Sequence, residues 1–223
     1  IVMPTRAGTE IGVASTKAFT AQLTALLSFA IALAEARGVI STDRRDELHD
    51  HIQRLPSLVG KTLNLFEEIR PLAHSLTSAR SALYLGRDVL FPVALEGALK
   101  LKELSYIHAE GFASGEMKHG PIALIEEGLP VIALLAADEV MGKAASNLQE
   151  ASARGARIIL ITEERAAKAV DFAESVITVP NIDPLLAPLL LTIPVQIIAY
   201  LTAFEKGTDV DQPRNLAKSV TVE

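Results

Sequence analysis

The chain has 223 residues, of which 49% are hydrophobic, 4% aromatic and 22% charged, and this composition excludes a disordered or collagen-like chain. Its net charge is -6, from 21 Lys and Arg against 27 Asp and Glu, and no basic run indicates a nucleic-acid partner. The absence of Cys excludes disulfides, Cys-ligated zinc and thiol catalysis, and it favours a reducing compartment, so we expect a cytoplasmic protein.

The first third of the chain is predicted to be helical. The opening residues lack the charged and apolar regions of a secretory signal and are typical of the interior of a longer protein. An Ala- and Leu-rich stretch at 16–36 predicts a long, largely buried helix that ends at Gly38. A second, amphipathic helix begins after residues 41–43, and we expect Pro56 to end or kink it. A third helical stretch spans 57–79, with a possible break at Pro71.

From residue 81 onward, short aliphatic runs alternate with helical stretches. This alternation predicts an α/β fold, in which a parallel sheet has helices on both faces. The predicted strands are 83–86, 131–135, 158–161 and 176–179, and the predicted helices are 91–106, 140–153 and 163–172. Residues 208–223 are polar, and their apolar residues lack the spacing of a helix or strand, so we expect an extended tail.

Residues 184–204 carry no charge and are long enough to cross a bilayer. Pro188, Pro194 and Gln196 interrupt the apolar run, and no Lys or Arg bias flanks it. We therefore predict a buried helix of a soluble protein rather than a membrane span.

The turn Gly86-Arg87-Asp88 follows the first predicted strand. Ligands of such folds bind beyond the carboxyl ends of the strands, so we expect this turn to mark the mouth of the site. No G-x-G-x-x-G motif or P-loop is present, and no nucleotide or other cofactor is predicted.

The helix at 91–106 carries a cluster of charges. At about 100° per residue, Glu96, Lys100 and Glu103 share one face of this helix. One interpretation is a solvated stripe of weak ion pairs. The other is an acid/base pair, because a helix directly after a strand and glycine turn begins beside the ligand crevice.

Two further residues are candidates for chemistry. His119 precedes Gly120-Pro121, a turn that could expose an acid/base imidazole to a site, although a structural loop histidine fits the same pattern. Lys218 could be an amine nucleophile in a dry pocket or a lysine without a functional role in a fraying C-terminus. No H-E-x-x-H motif is present, and we predict no metal site.

Four segments, 7–17, 95–103, 115–121 and 209–223, closely resemble the isomerase half of the glutamine:fructose-6-phosphate amidotransferase family. The resemblance implies a parallel five-stranded sheet flanked by helices in the three-layer, flavodoxin-like arrangement of a sugar isomerase (SIS) domain, preceded by a helical segment. It implies three regions: 1–79 as the end of a first SIS domain with connecting helices, 80–208 as a second SIS domain, and 209–223 as a tail that contributes to the active site.

The same resemblance implies roles for individual residues. Glu103 would be the base that moves a proton between C1 and C2 of the open sugar, and Lys100 would support it. Lys218 would form a Schiff base with the C2 ketone, and His119 would reach in from a neighbouring subunit to help open the ring. The sugar pocket would be lined by Val13, Ala14, Ser15 and Ala217. Asp88 departs from the Gly-Arg-Gly that is usual in the family.

The resemblance also implies the partners of the chain: a sugar-phosphate substrate, a second copy in a homodimer and a glutaminase domain in the full-length protein, with no nucleic acid and no membrane. The glutaminase domain and the phosphate-anchoring loop of the first SIS domain are absent from this sequence, so we expect the chain alone to lack full activity. Two alternatives stay open: a non-catalytic sugar-phosphate sensor, and a related sugar-phosphate deaminase or isomerase.

Overall fold

The fold is built on one parallel sheet of five strands. The structure is a computed structural model that describes residues 2–219. Neighbouring strands pair in the order β2-β1-β3-β4-β5, and every pair is parallel. The strands are β1 (Ser81–Gly86), β2 (His108–Ala113), β3 (Pro130–Leu135), β4 (Arg157–Glu163) and β5 (Ser175–Val179). The expected five-stranded α/β fold with a helical segment before it is confirmed.

Six α-helices surround or precede this sheet in the described part of the chain. Three come before the first strand, two lie in crossover connections between parallel strands, and one follows the last strand. The helices are α1 (Lys17–Ala36), α2 (Thr42–Leu63), α3 (Phe66–Leu76), α4 (Phe91–Ser105), α5 (Met141–Ser152) and α6 (Ala187–Glu205).

Alternate side chains of the strands enter two separate cores. Tyr84, Ile132 and Ile159 pack with α4 and α6 on one face of the sheet. Val131 and Leu160 pack on the other face, against α5 and the loops around it. The central strands β3 and β4 are therefore buried on both faces, which explains their continuous aliphatic sequences.

Prolines do not end the helices at the predicted places. Helix α2 continues through Pro56 to Leu63, and helix α3 contains Pro71. A proline removes one backbone donor, but in α2 the buried face that includes Leu55 and Leu58 keeps the helix packed on both sides of Pro56. The predicted end of the helix at Pro56 is therefore wrong, and the helical stretch predicted for 57–79 is divided between α2 and α3, because the chain turns between Leu63 and Phe66.

Two other predicted elements differ from the structure. β2 was not among the strands predicted from aliphatic runs, because it is an edge strand with small and polar residues such as Gly111 and His108. The predicted helix at 163–172 is wrong, because β4 extends to Glu163 and only a short 3-10 helix, Glu164–Ala169, follows it.

Helices α1 and α6 are both long and apolar enough to cross a membrane, yet their burial differs. In α6 the most apolar window is 78% buried inside the protein, so the prediction of a buried helix is confirmed. In α1 the corresponding window is only 6% buried, and Ile31 is its single buried residue. The expectation that α1 is largely buried is therefore wrong for the described residues, because only α2 and α6 provide substantial packing for it.

Candidate active site

A cavity of about 300 Å³ lies where the segment before α1, the helices α4 and α6 and the C-terminal tail meet. Helix α4 returns from the carboxyl ends of the strands to their amino ends, so Lys100 and Leu104 lie towards the amino-terminal edge of the sheet. The polar side chains that line the cavity are Thr9, Glu10, Thr16, Lys17, Lys100, Gln196, Tyr200 and Asp211.

Lys100 is the buried cation of this cavity. The residue is only 3% exposed, and its Nζ lies 2.6 Å from Glu103 Oε2 and 3.6 Å from Glu96 Oε1. The predicted shared face of the three charges is therefore confirmed. The solvated-stripe interpretation is wrong for Lys100, because its ammonium is removed from water and held between two carboxylates.

Close packing of α4 places this charged cluster. At Gly97, an added Cβ would lie 2.5 Å from the Tyr84 ring and 2.8 Å from Val195 Cγ1, so the helix can approach β1 and α6 only because residue 97 has no side chain. This approach holds the cluster's backbone rigidly against the sheet. Positions of Lys100 and Glu103 are thus fixed by an element that the core supports on two sides.

The two carboxylates of the cluster have different environments. Burial raises the pKa of Glu96 above its ordinary value, and the charge of Glu103 acts in the same direction, while Lys100 opposes both. Glu96 Oε1 accepts no hydrogen bond. Glu103 instead receives the short hydrogen bond from Lys100. A carboxylate beside a buried ammonium can take a proton from a carbon acid while the cation stabilises the charge that develops.

The segment before α1 forms another wall of the cavity. Ala14 lines the cavity and is buried against Leu104 of α4 and two alanines of α6. Its neighbours face other partners: the Val13 amide donates to the Asp211 carbonyl at 2.9 Å, and Ser15 Oγ donates to Glu10 at 3.2 Å. Of the predicted sugar-pocket residues in this segment, the structure therefore places Ala14 on the cavity and Val13 and Ser15 at its border.

The tail reaches the same region. Arg214 donates its amide to Tyr106 Oη at 2.8 Å, and its guanidinium lies over the Tyr106 ring. Lys218 Nζ lies 3.6 Å from Glu10 Oε2, although the Lys218 side chain is 46% exposed. Ala217 is exposed and does not line the cavity. The predicted tail ends at 223, and its last four residues lie outside the described residues.

His119 lies elsewhere in the chain. It ends the 3-10 helix Ser114–His119, it is exposed, and it is not among the residues that line the cavity. Within one copy of the chain, the structure therefore brings Lys100 and Glu103 together and leaves His119 apart from them.

The family of the chain follows from comparison with known proteins. The family model of the SIS domain matches residues 75–206, more than half of the chain. The chain belongs to the SIS domain family. Curated proteins named glutamine–fructose-6-phosphate aminotransferase [isomerizing] are 53% identical to it, one from Brucella abortus over 223 residues and one from Agrobacterium fabrum over 224. Each alignment covers 100% of this chain and 37% of the relative, so the chain spans little more than a third of their length.

Solved structures agree with this assignment. The C-terminal domain of glucosamine-fructose-6-phosphate aminotransferase from Francisella tularensis superposes with a TM-score of 0.89 at 42% identity, covering 92% of this chain and 58% of that chain. A glucosamine-6-phosphate deaminase from Thermotoga maritima superposes with a TM-score of 0.72 at 25% identity, covering 96% of this chain and 59% of that chain. The resemblance seen in the sequence motifs is confirmed, and it is confined to the isomerase region of the aminotransferases.

The turn Gly86-Arg87-Asp88, predicted to mark the mouth of the site, does not line this cavity. These residues lie at the carboxyl end of β1, whereas the cavity of this SIS domain lies towards the other edge of the sheet and none of the three lines it. Arg87 Nη1 instead donates to Asn147 Oδ1 at 3.1 Å. The rule that ligands bind beyond strand ends predicted a site at this turn, whereas Lys100 and Glu103 lie in the later turns of α4.

Glu10 is a cavity residue that the sequence did not mark as a candidate. It lines the cavity, and its Oε1 accepts hydrogen bonds from the Thr16 amide at 2.7 Å and the Thr16 hydroxyl at 3.1 Å. A signal was present: an acidic residue shortly before a long helix can bind the unpaired amides of the first helical turn. Gln196, Tyr200 and Asp211 were also missed, since only the tertiary fold brings α6 and the tail to this cavity.

One group of side chains among the described residues has the spacing of metal ligands: Glu47, His51 and Asp183. Arg44 Nη1 lies 2.6 Å from Asp183 Oδ2 and 2.7 Å from Glu47 Oε2. The Arg44 guanidinium therefore already neutralises these two carboxylates. Its ion pairs connect α2 to the segment just before α6.

Proposed function

We propose that this chain is the isomerase region of an enzyme that makes glucosamine 6-phosphate from fructose 6-phosphate and glutamine-derived ammonia. The observation that carries the proposal is the buried Lys100 ammonium, 2.6 Å from the Glu103 carboxylate, beside a cavity that the tail also reaches. The aminotransferases that are 53% identical to the chain support the choice of substrate.

In this proposal the tail lysine forms the covalent bond to the sugar. The Lys218 amine adds to the C2 carbonyl of the opened ketose, and water leaves to give an imine. Ammonia then replaces the lysine at C2. The Glu103 carboxylate takes a proton from C1 and returns it to C2, while the imine nitrogen gains a proton and O1 loses its own as the C1 carbonyl forms, so that the ketose imine becomes the aldose amine. Lys100 stabilises the negative charge that develops between these steps.

His119 has no place in the cavity of its own chain, and this supports a homodimer. We propose that His119 of a second copy enters the cavity and assists ring opening, because an exposed imidazole at the end of a 3-10 helix is available to a partner. The glutaminase domain that supplies ammonia would be part of the complete enzyme, and we propose that this enzyme is cytoplasmic.

The proposal is tested in a complete aminotransferase that contains this region. Lys218→Ala and Glu103→Gln are each expected to lower the rate of glucosamine 6-phosphate formation by about 10²- to 10⁴-fold, because each removes a group that reacts with the sugar. Lys143→Ala, an exposed lysine of α5, is the matched control and should keep the wild-type rate. Turnover within twofold of wild type in either of the first two variants would overturn the assignment.

A deaminase is the second candidate, because the Thermotoga maritima deaminase shares the fold over 96% of this chain. The two functions differ in the source and fate of ammonia. A synthase consumes glutamine and releases glutamate with the sugar product, whereas a deaminase releases ammonia from glucosamine 6-phosphate without glutamine. Glutamine-independent ammonia release as the faster reaction would favour the deaminase, and sugar-phosphate binding without either reaction would favour a sensor.

A further inference from the structure

The carboxylate of Glu10 connects three parts of the candidate active site. Glu10 lines the same cavity as Lys100, but it comes from the segment before α1. The proposed function uses Lys100, Glu103 and Lys218 and leaves this acidic residue without a role. Its contacts show what it can do.

The two oxygens of Glu10 have separate partners. Oε1 accepts hydrogen bonds from the amides of Thr16 and Ala18, at 2.7 and 3.5 Å, and so caps the first turn of α1. Oε2 accepts a hydrogen bond from Ser15 Oγ and lies 3.6 Å from Lys218 Nζ. The helix therefore fixes the orientation of the carboxylate, and the second oxygen is directed at the tail.

Glu10 is ionised in this environment. Burial acts to raise its pKa, but the hydrogen bonds from Thr16 and Ala18 and the charge of Lys218 outweigh burial and hold the pKa below the ordinary value for a glutamate. The residue thus presents a negative charge to the tail at neutral pH.

The carboxylate of Glu10 is the group in contact with the Lys218 ammonium. Among residues 2–219, Lys218 forms no ion pair or hydrogen bond other than the contact with Glu10. The backbone of the tail is held further back, where the Val13 amide donates to Asp211 and the Arg214 amide donates to Tyr106. A flexible lysine side chain that is nearly half exposed samples many rotamers unless an opposite charge restricts it.

We propose that Glu10 is a positioning residue for Lys218, holding the lysine Nζ beside the cavity in the orientation from which it reaches the sugar carbonyl. This inference rests on the proposed function, which assigns the imine to Lys218. Glu10 does not touch the reacting atoms; it acts through the lysine.

Glu10→Gln separates this role from helix capping. The glutamine carbonyl can still accept from Thr16 and Ala18, while the negative charge towards Lys218 is lost. Thermal unfolding of the variant should therefore stay close to wild type. Glu150→Gln is the matched control, because it removes a carboxylate from another lysine ion pair, that of Lys118 at 2.8 Å, on the α5 side of the sheet.

The experiment traps the imine in a complete aminotransferase that contains this region. The enzyme is incubated with fructose 6-phosphate and cyanoborohydride, and the reduced adduct is located by peptide mass spectrometry. We expect Glu10→Gln to slow adduct formation at Lys218 by about 10- to 100-fold. The KM for fructose 6-phosphate should change less than twofold and kcat should fall with the trapping rate, while Glu150→Gln should match wild type.

The outcomes distinguish this inference from the proposed function. No adduct at Lys218 in the wild-type enzyme would overturn the proposed imine itself. A wild-type adduct that forms equally fast in Glu10→Gln would overturn the positioning role alone. Should Glu10→Gln unfold at lower temperature, the trapping rates of the variant and of wild type are compared well below both unfolding transitions, where both proteins are folded; equal rates there would overturn the positioning role.

Discussion

Replacing Lys100 by Met tests whether the charged cluster of α4 is a buried ion-pair network. Methionine fills much of the space of the lysine stem but leaves Glu96 and Glu103 without their cation. Removing one partner of a buried ion pair costs about 3–5 kcal/mol, because the remaining charge is left unpaired. The Glu103 side chain is 21% exposed and can be partly hydrated, so we expect a loss near the lower end, about 3 kcal/mol.

The loss of unfolding free energy in Lys100→Met should depend on pH, in a direction set by the pKa of Glu96. The pKa of Glu96 is already raised by burial against the opposing effect of Lys100, and removing Lys100 raises it further. A carboxyl group whose folded pKa exceeds its unfolded value favours folding at low pH and loses that advantage as the pH rises through the folded pKa. The deficit of Lys100→Met should therefore be largest at pH 8 and shrink towards pH 5.

Urea unfolding of the 223-residue chain, followed by circular dichroism from pH 5 to pH 8, measures this deficit. Lys102→Met is the matched control: it lies on the same helix but is exposed, and its substitution should change the unfolding free energy by less than about 0.5 kcal/mol. If Lys100→Met were as stable as wild type, or if its deficit were the same at pH 5 and pH 8, the reasoning about the buried network would be refuted.

Two further predictions concern the contacts that hold α2, α4 and α6 in place. Asp183→Asn removes the ion pair with Arg44 and should lower the unfolding free energy by about 1–2 kcal/mol at pH 7. Burial acts to raise the pKa of Asp183, but mainly Arg44 holds it below its ordinary value. In urea unfolding, the free-energy difference between wild type and Asp183→Asn should therefore be intact above about pH 4 and be lost as the pH falls further. A difference that is unchanged at pH 2 would contradict this. Gly97→Ala places a Cβ 2.5 Å from the Tyr84 ring and should cost about 1–3 kcal/mol, whereas Gly60→Ala, with no atom within 4 Å, should stabilise α2 by about 0.5–1 kcal/mol. Thermal unfolding compares the two glycine variants, and equal effects would refute the packing argument.

The sheet was predictable wherever its strands are buried on both faces. β3 and β4 contain the unbroken aliphatic runs 131–135 and 158–161 because helices or loops cover each face, and such runs are evident in the sequence. β2 lies at the edge and contains Gly111, where α4 approaches so closely that an added Cβ would be 2.8 Å from the Leu95 backbone. Because β2 needs small residues where α4 packs against it, it lacks the β-branched residues that predict a strand.

Composition alone was a poor guide to the environment of α1. Its Ala- and Leu-rich sequence resembles that of α6, and both helices end at a glycine with positive φ, Gly38 and Gly207. These properties are local, and the sequence predicts them well. How far a helix is buried depends instead on the elements that pack against it. Helix α6 packs on the sheet and on other helices, whereas α1 packs mainly on α2 and α6. No periodicity within α1 could have distinguished the two cases.

The charges of α4 were predictable from helical spacing, but the rest of the cavity was not. Residues 96, 100 and 103 share a face through local geometry, so the sequence was sufficient to group them. Glu10 and Lys218 are separated by more than two hundred residues, and only the tertiary fold brings their side chains within 3.6 Å. The resemblance to known aminotransferases identified Lys218, whereas the partner that orients it became apparent only from the structure.

The position of the cavity explains why the SIS domain alone does not form this site. The family match, residues 75–206, contains Lys100, Glu103 and the walls formed by α4 and α6. The opposing walls come from residues 9–17 and from Val210 and Asp211, all outside that match. The sheet and its helices therefore supply the Lys100–Glu103 ion pair, and segments before and after the domain complete the enclosure. Because Glu10 caps α1 through one oxygen and faces the tail through the other, these two segments are joined at a single carboxylate, where the position of the tail lysine can be set.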